Sequence, residues 1–97
     1  MLERNSTLTS LQLSHNDTSD EGAESLAAGL KVNRTLEDLG LIATNLHDQG
    51  SIAIARSLMT NQVLLTLRMN ENPLVGKEGR KLLQASAATR PTFRVFV

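Results

Sequence analysis

The sequence predicts an α/β solenoid of about three β-α repeats of 28–29 residues, with a concave parallel sheet, convex helices and a partial fourth strand. Three observations predict it. Leu8, Leu36 and Leu64 open matching tracts: Leu8-x-x-Leu11-x-Leu13-x-x-Asn16, Leu36-x-x-Leu39-x-Leu41-x-x-Thr44 and Leu64-x-x-Leu67-x-Met69-x-x-Asn72. Within each tract apolar and polar residues alternate with period two, as in a half-buried strand. Behind each tract the spacing turns helical. Gly22, Leu26 and Leu30 recur as Gly50, Ile54 and Leu58, then as Gly79, Leu83 and Ala87, and steps of four share one helix face.

Taken in order, the units run over about 8–35, 36–63 and 64–92, with 93–97 as the partial repeat of a single domain, 1–97. Asn16, Thr44 and Asn72 end the three strands, where a polar side chain satisfies turn backbone groups. Ser19 with Asp20-Glu21, and Asp48 in the second unit, supply cap and dipole chemistry at the helix starts. Asn5, Asn33 and Asn61 stand three residues before the opening leucines and read as turn-makers, with Arg90 taking that place last. Leu2-x-x-Asn5-x-Thr7-Leu8 repeats as Leu30-x-x-Asn33-x-Thr35-Leu36, so the chain begins at the tail of a helix.

The third unit departs from the pattern. It carries one extra residue between Leu74 and Gly79. Arg80 stands where Ala23 and Ser51 stand, and Gln84 where Ala27 and Ala55 stand. A less apolar helix suits a terminal, capping repeat. The strand that follows, Phe93-Arg-Val-Phe96-Val97, has an open β-forming edge that invites pairing with another chain. Two readings fit that edge: a true terminus that forms a homo-oligomer through Phe93–Val97, or a cut through a longer array.

Composition narrows the function. Ten basic residues balance ten acidic ones, so no global field draws nucleic acid or an anionic membrane. Phe93 and Phe96 are the only aromatics, too few for a base-stacking platform. Without cysteine there are no disulfides or thiolate metal sites, which is consistent with a reducing, cytoplasmic setting. No apolar run approaches the roughly 18 residues of a membrane span, and the charged start is not a signal peptide.

Catalytic chemistry has little footing. His15 and His47 occupy non-equivalent repeat positions with no second catalytic group at motif spacing. The tract Asn16–Gly22 resembles a calcium loop only superficially, because its glycine is one place late and Ala27 replaces the bidentate glutamate. Gly76-Lys-Glu-Gly79 lacks the ending of a phosphate loop. No catalytic residue, cofactor or metal site is assigned, and no enzyme activity is expected. The sequons at Asn5, Asn16 and Asn33 fall in the repeat's own asparagine columns and need no glycan to explain them.

With these columns in place, the chain resembles leucine-rich repeats of the ribonuclease-inhibitor subtype. The tract Leu30-Lys-Val-Asn33-Arg-Thr35-Leu36-x-x-Leu39-x-Leu41 is similar to repeats of NOD-like receptors, tropomodulins and Ran GTPase-activating proteins. The resemblance implies the sheet-inside, helix-outside arrangement. It does not decide among functions, because those families use one scaffold for unrelated purposes.

Alternation then selects the concave face. If Leu11 and Leu13 point inward, the face is built from Ser10, Gln12 and Ser14, then Asp38, Gly40 and Ile42, then Thr66, Arg68 and Asn70, with Val95 and Val97 on the fourth strand. A protein partner is expected to meet Gln12, Asp38, Ile42, Arg68 and Asn70. Ile42, as an exposed apolar residue, and Arg68 are the anchors, since interface cores favour a few apolar residues and arginine. The function expected is a protein-interaction scaffold. The alternatives are a self-assembling segment, through the last strand or exposed leucines at the N-terminal end, and a regulator of an enzyme such as a small GTPase, with Arg68 and Asn70 as its weak candidates.

Overall fold

Each repeat folds as its pattern predicts, over strands of only three residues. The computed structural model describes residues 7–97. Its elements are β1 (Ser10–Gln12), α1 (Ser19–Val32), β2 (Asp38–Gly40), α2 (Asp48–Ser57), β3 (Thr66–Arg68), α3 (Lys77–Ala88) and β4 (Arg94–Phe96). The readings of Leu2 and Asn5 lie outside the described residues.

The four strands make one parallel sheet in chain order. Parallel neighbours need a crossover, and each helix supplies one on the same side of the sheet. Leu11, Leu39, Leu67 and Val95 stand in register. Because side chains alternate along a strand, these residues form one row facing the helices. Leu39 and Leu67 are fully buried there, and Leu36, Leu41, Leu64 and Met69 extend the row into the flanking turns. Burying each such side chain contributes roughly 1.5–3 kcal/mol.

The helices meet the sheet with the faces their spacing predicts. In α1 the residues Ala23, Leu26, Ala27, Gly29 and Leu30 are buried; in α2 they are Gly50, Ser51, Ile54, Ala55 and Ser57. In α3 only Gly79 and Leu83 are buried. The third helix is thus less embedded, in line with its polar substitutions. Successive helices touch through glycine. A Cβ on Gly50 would lie 3.0 Å from the Cβ of Ala23, and one on Gly79 would lie 3.1 Å from the Cβ of Ser51.

Helix capping differs from the sequence reading. Thr18, His47 and Gly76 occupy the three N-cap positions, and none makes a side-chain cap hydrogen bond. Asp20 instead serves the next helix, its Oδ1 accepting the amides of His47 at 2.8 Å and Gly50 at 3.0 Å. Asp48 does the same one repeat later, accepting Gly76 at 3.2 Å and Gly79 at 2.8 Å. The carboxylates therefore act between repeats, because the first turn of each helix points its amides back toward the preceding unit.

The asparagine columns behave as turn-makers. Asn33 Oδ1 accepts the amides of Thr35 and Leu36, and Asn61 Oδ1 those of Val63 and Leu64. Asn61 Nδ2 also donates back to the carbonyls of Leu30 and Asn33. Arg90 continues the column, donating to the carbonyls of Asn61 at 3.1 Å and Leu64 at 2.6 Å. Its guanidinium lies 4.5 Å from the ring centre of Phe93, and burial lowers its pKa from the ordinary value. After each of the first three strands the backbone turns left-handed, at His15, Ala43 and Glu71 with φ of 66°, 55° and 61°, and Asn45 and Ser19 do so as well, at 61° and 62°.

Two one-residue shifts reshape the last unit. The extra residue after β3 turns Leu74 out to 57% exposure and puts Val75 into the core, where Leu46 stands one repeat earlier. A residue is then missing before β4. The amides of Glu37 and Asp38 both reach Thr9 O, and those of Leu65 and Thr66 both reach Glu37 O, whereas Arg94 N alone reaches Leu65 O. With Phe93 buried in the leucine position, this shortening pairs Val95, not Phe96, with Leu67.

Candidate functional site

One sheet face packs on the helices; the opposite face lies open. In register across it stand Ser10, Asp38, Thr66 and Arg94, then Gln12, Gly40, Arg68 and Phe96. The expectation that Val95 and Val97 join this face is overturned. Both are partly buried against the core, and Phe96 is the exposed residue at 42%. The missing residue before β4 exchanges the two faces of that strand, as any one-residue slip must. Counting from Phe93 to Phe96 hid the slip, since that spacing repeats Leu64 to Leu67.

The expected partner residues take distinct positions. Arg68 and Asp38 meet: Arg68 Nη1 donates to Asp38 Oδ1 at 3.0 Å and Oδ2 at 3.2 Å. This pair spans β2 and β3 diagonally and stays accessible, the side chains being 41% and 32% exposed. Gln12 lies over the Cα of Gly40, filling the space a side chain there would take, and its Nε2 reaches Ser10 Oγ at 3.5 Å. Ile42 follows β2, where its amide donates to Ser14 Oγ at 3.0 Å. It is half-buried, so it is not the exposed apolar anomaly expected. Asn70 is exposed at the rim, and its carbonyl accepts the amide of Ala43 at 3.1 Å.

Exposed apolar surface lies further along, at Phe96 and at Leu65, which is 39% exposed. Phe96 stands opposite Arg68, and Arg94 opposite Thr66. Directly opposed side chains of adjacent strands lie about 5 Å apart at Cβ. The accessible face over β3 and β4 therefore combines two arginines with one aromatic ring, and the Arg94 side chain makes no ion pair among the described residues.

The convex side holds a shallow groove of about 340 Å³ between α2 and α3, lined by Leu58, Met59, Leu82 and Arg90 among others. Met59 is 79% exposed at its edge. Among the described residues no group of three or more His, Asp or Glu side chains is placed to hold a metal ion, and no helix is long and apolar enough to cross a membrane. His47 Nδ1 lies 3.7 Å from Asp20 Oδ2, a surface contact beside the cap that Asp20 provides.

A sequence profile described as Leucine Rich repeat matches residues 4–27. No curated protein matches the sequence. Among solved structures the chain is similar to Leiomodin-1 Actin-Binding Site 2, with a TM-score of 0.85 and 26% identity over 98% of this chain. The match covers 56% of that structure, so this chain spans just over half its length. With its parallel register and asparagine-bridged turns, the chain has the fold of a short leucine-rich repeat solenoid of the ribonuclease-inhibitor-like type.

Proposed function

We propose that this chain is a non-catalytic protein-interaction module that seats a partner on its open sheet face, in a cytoplasmic setting. The observation that carries the reading is the accessible Arg68–Asp38 pair beside exposed Phe96. Arginine and aromatic side chains dominate the energetics of protein interfaces. Asp38 holds the Arg68 guanidinium in place, which lowers the ordering cost of a contact made through its remaining donors. Gln12, Ile42 and Asn70 flank this centre and complete the expected surface. The described residues, 7–97, act as one rigid unit in this reading, with little change of shape on binding.

The likeness to an actin-binding site of leiomodin makes actin the first partner to test. Purified actin and a native lysate are each passed over immobilised wild type and over an Arg68→Glu, Phe96→Asp variant of equal helical content. The reading expects a protein retained by wild type and lost by the variant. Equal retention by both proteins would move the site off the sheet face.

A further inference from the structure

We infer that the sheet face receives a carboxylate side chain, aspartate or glutamate, from an extended segment of a protein partner, in a notch over Gly40. The inference rests on the reading of that face as the partner surface and deepens it. Gln12, Gly40 and Arg68 stand in register on β1, β2 and β3. Adjacent strands lie about 4.8 Å apart, so the absent Gly40 side chain leaves a gap one side chain wide between its neighbours.

The end of Gln12 covers this gap. Its Oε1 occupies the place of a Gly40 Cβ, and its Cδ lies 2.8 Å from that position. The cover is loosely held. Gln12 is exposed, and its Nε2 stands 3.5 Å from Ser10 Oγ, at the outer limit of a hydrogen bond. Rotation about the Gln12 side-chain torsions opens the notch without moving the backbone.

The groups around the notch select its occupant. Arg68 Nη1 is spent on both oxygens of Asp38, at 3.0 and 3.2 Å. Its Nε and Nη2 have no hydrogen-bond partner among the described residues. Those two nitrogens form the guanidinium edge that takes a carboxylate bidentately. Ser14 Oγ lies 3.2 Å from the Gly40 Cβ position and accepts the amide of Ile42 at 3.0 Å, which leaves its hydroxyl proton to donate. Gln12 Nε2 adds a further donor once it turns. Successive same-face positions along a strand are about 6.5 Å apart. A carboxylate lying between the Asp38 and Gly40 positions therefore turns one oxygen toward Arg68 and the other toward Ser14. The neighbouring acceptor, Asp38, is already engaged, so an incoming lysine would meet the Arg68 guanidinium with no open carboxylate beside it.

The probe is a displayed library of random peptides of about nine residues, an extended length of roughly 30 Å. It is selected on immobilised wild type, and each recovered peptide is resynthesised with its acidic residues changed singly to the amide. Gly40→Val fills the notch. Gly40 has no positive φ, and an added Cβ meets first the flexible end of Gln12, so this variant is expected to keep the circular dichroism spectrum of wild type. If that spectrum changes, Gly40→Ala is read in its place. Peptides with one essential aspartate or glutamate are expected, and loss of that charge or filling of the notch should each weaken binding about tenfold or more. Gln12→Ala, which removes the cover, should bind at least as tightly as wild type. The inference is overturned by a selection without binders, by binders indifferent to their carboxylates, or by equal binding to the folded Gly40 variant. In that last case, peptides lost by the Arg68→Glu, Phe96→Asp variant would leave the sheet-face reading standing and remove the notch alone. Peptides that bind this variant too would take both away.

Discussion

Asp48, in the first turn of α2, accepts the amide of Gly79 at 2.8 Å across the boundary to the next repeat. The same oxygen takes the amide of Gly76 at 3.2 Å, so one carboxylate satisfies two donors at the start of α3. The contact joins two repeats that their sheet and core already join, and it adds the attraction of a negative charge for a helix N-terminus. Asp48→Ala is expected to cost about 1–2 kcal/mol in urea denaturation, the range of a lost helix cap. Asp48→Asn keeps the acceptor and should recover most of it. Equal loss in both variants would mean that charge, not the acceptor, carries the effect.

Asn61 is fully buried and makes four hydrogen bonds between 2.8 and 3.2 Å, two as acceptor and two as donor. Its removal takes this partner from the amides of Val63 and Leu64 and from the carbonyl of Leu30, while the carbonyl of Asn33 keeps Arg34 Nη1 at 3.1 Å. Asn61→Ala should lose about 3 kcal/mol or more, since each unsatisfied buried group costs roughly 1–3 kcal/mol. Asn16, exposed at the other end of the molecule, offers a control. Asn16→Ala should cost less than about 1 kcal/mol, because water replaces the lost partner. Similar losses at both sites would contradict the burial argument.

Ala43 sits at φ 55°, in the left-handed region that a Cβ disfavours by roughly 1–2 kcal/mol. Glycine relieves that strain while adding freedom to the unfolded chain, so Ala43→Gly should stabilise by about 0.5–1 kcal/mol. A midpoint shift to higher denaturant at constant slope is the expected signature. Destabilisation by glycine would show that packing of the Ala43 methyl outweighs the backbone term.

Arg68 and Asp38 separate stability from binding. Both are only partly buried and open to solvent, so their mutual coupling should be only about 0.2–1 kcal/mol in a double-mutant cycle of denaturation. Truncating Arg68 to alanine should cost a retained partner more than tenfold in affinity, the size of a modest hot spot at about 1.4 kcal/mol or above. A variant that keeps full affinity would remove Arg68 from the site.

Much of this molecule was legible because its repeats are local and periodic. The strand tracts, the helix faces, the turn asparagines and the polar third helix all follow from residues a few positions apart. The exposed charges of the sheet face were legible too, since alternation assigns them once the strands are placed. Phe96 was missed for a definite reason. A compensating pair of one-residue shifts, one before α3 and one before β4, keeps the spacing of Phe93 and Phe96 regular while exchanging the faces of the last strand.

The sequence alone determined the architecture, because a period of 28 residues with apolar steps of two and then four has one economical way to bury its leucines. Only the tertiary structure decided which carboxylate caps which helix, that Arg68 engages Asp38, and which side of β4 faces outward. Each of these joins residues about 30 positions apart or turns on a single-residue change of register. Such relations depend on how neighbouring repeats stand beside one another, and a one-dimensional pattern carries no measure of that.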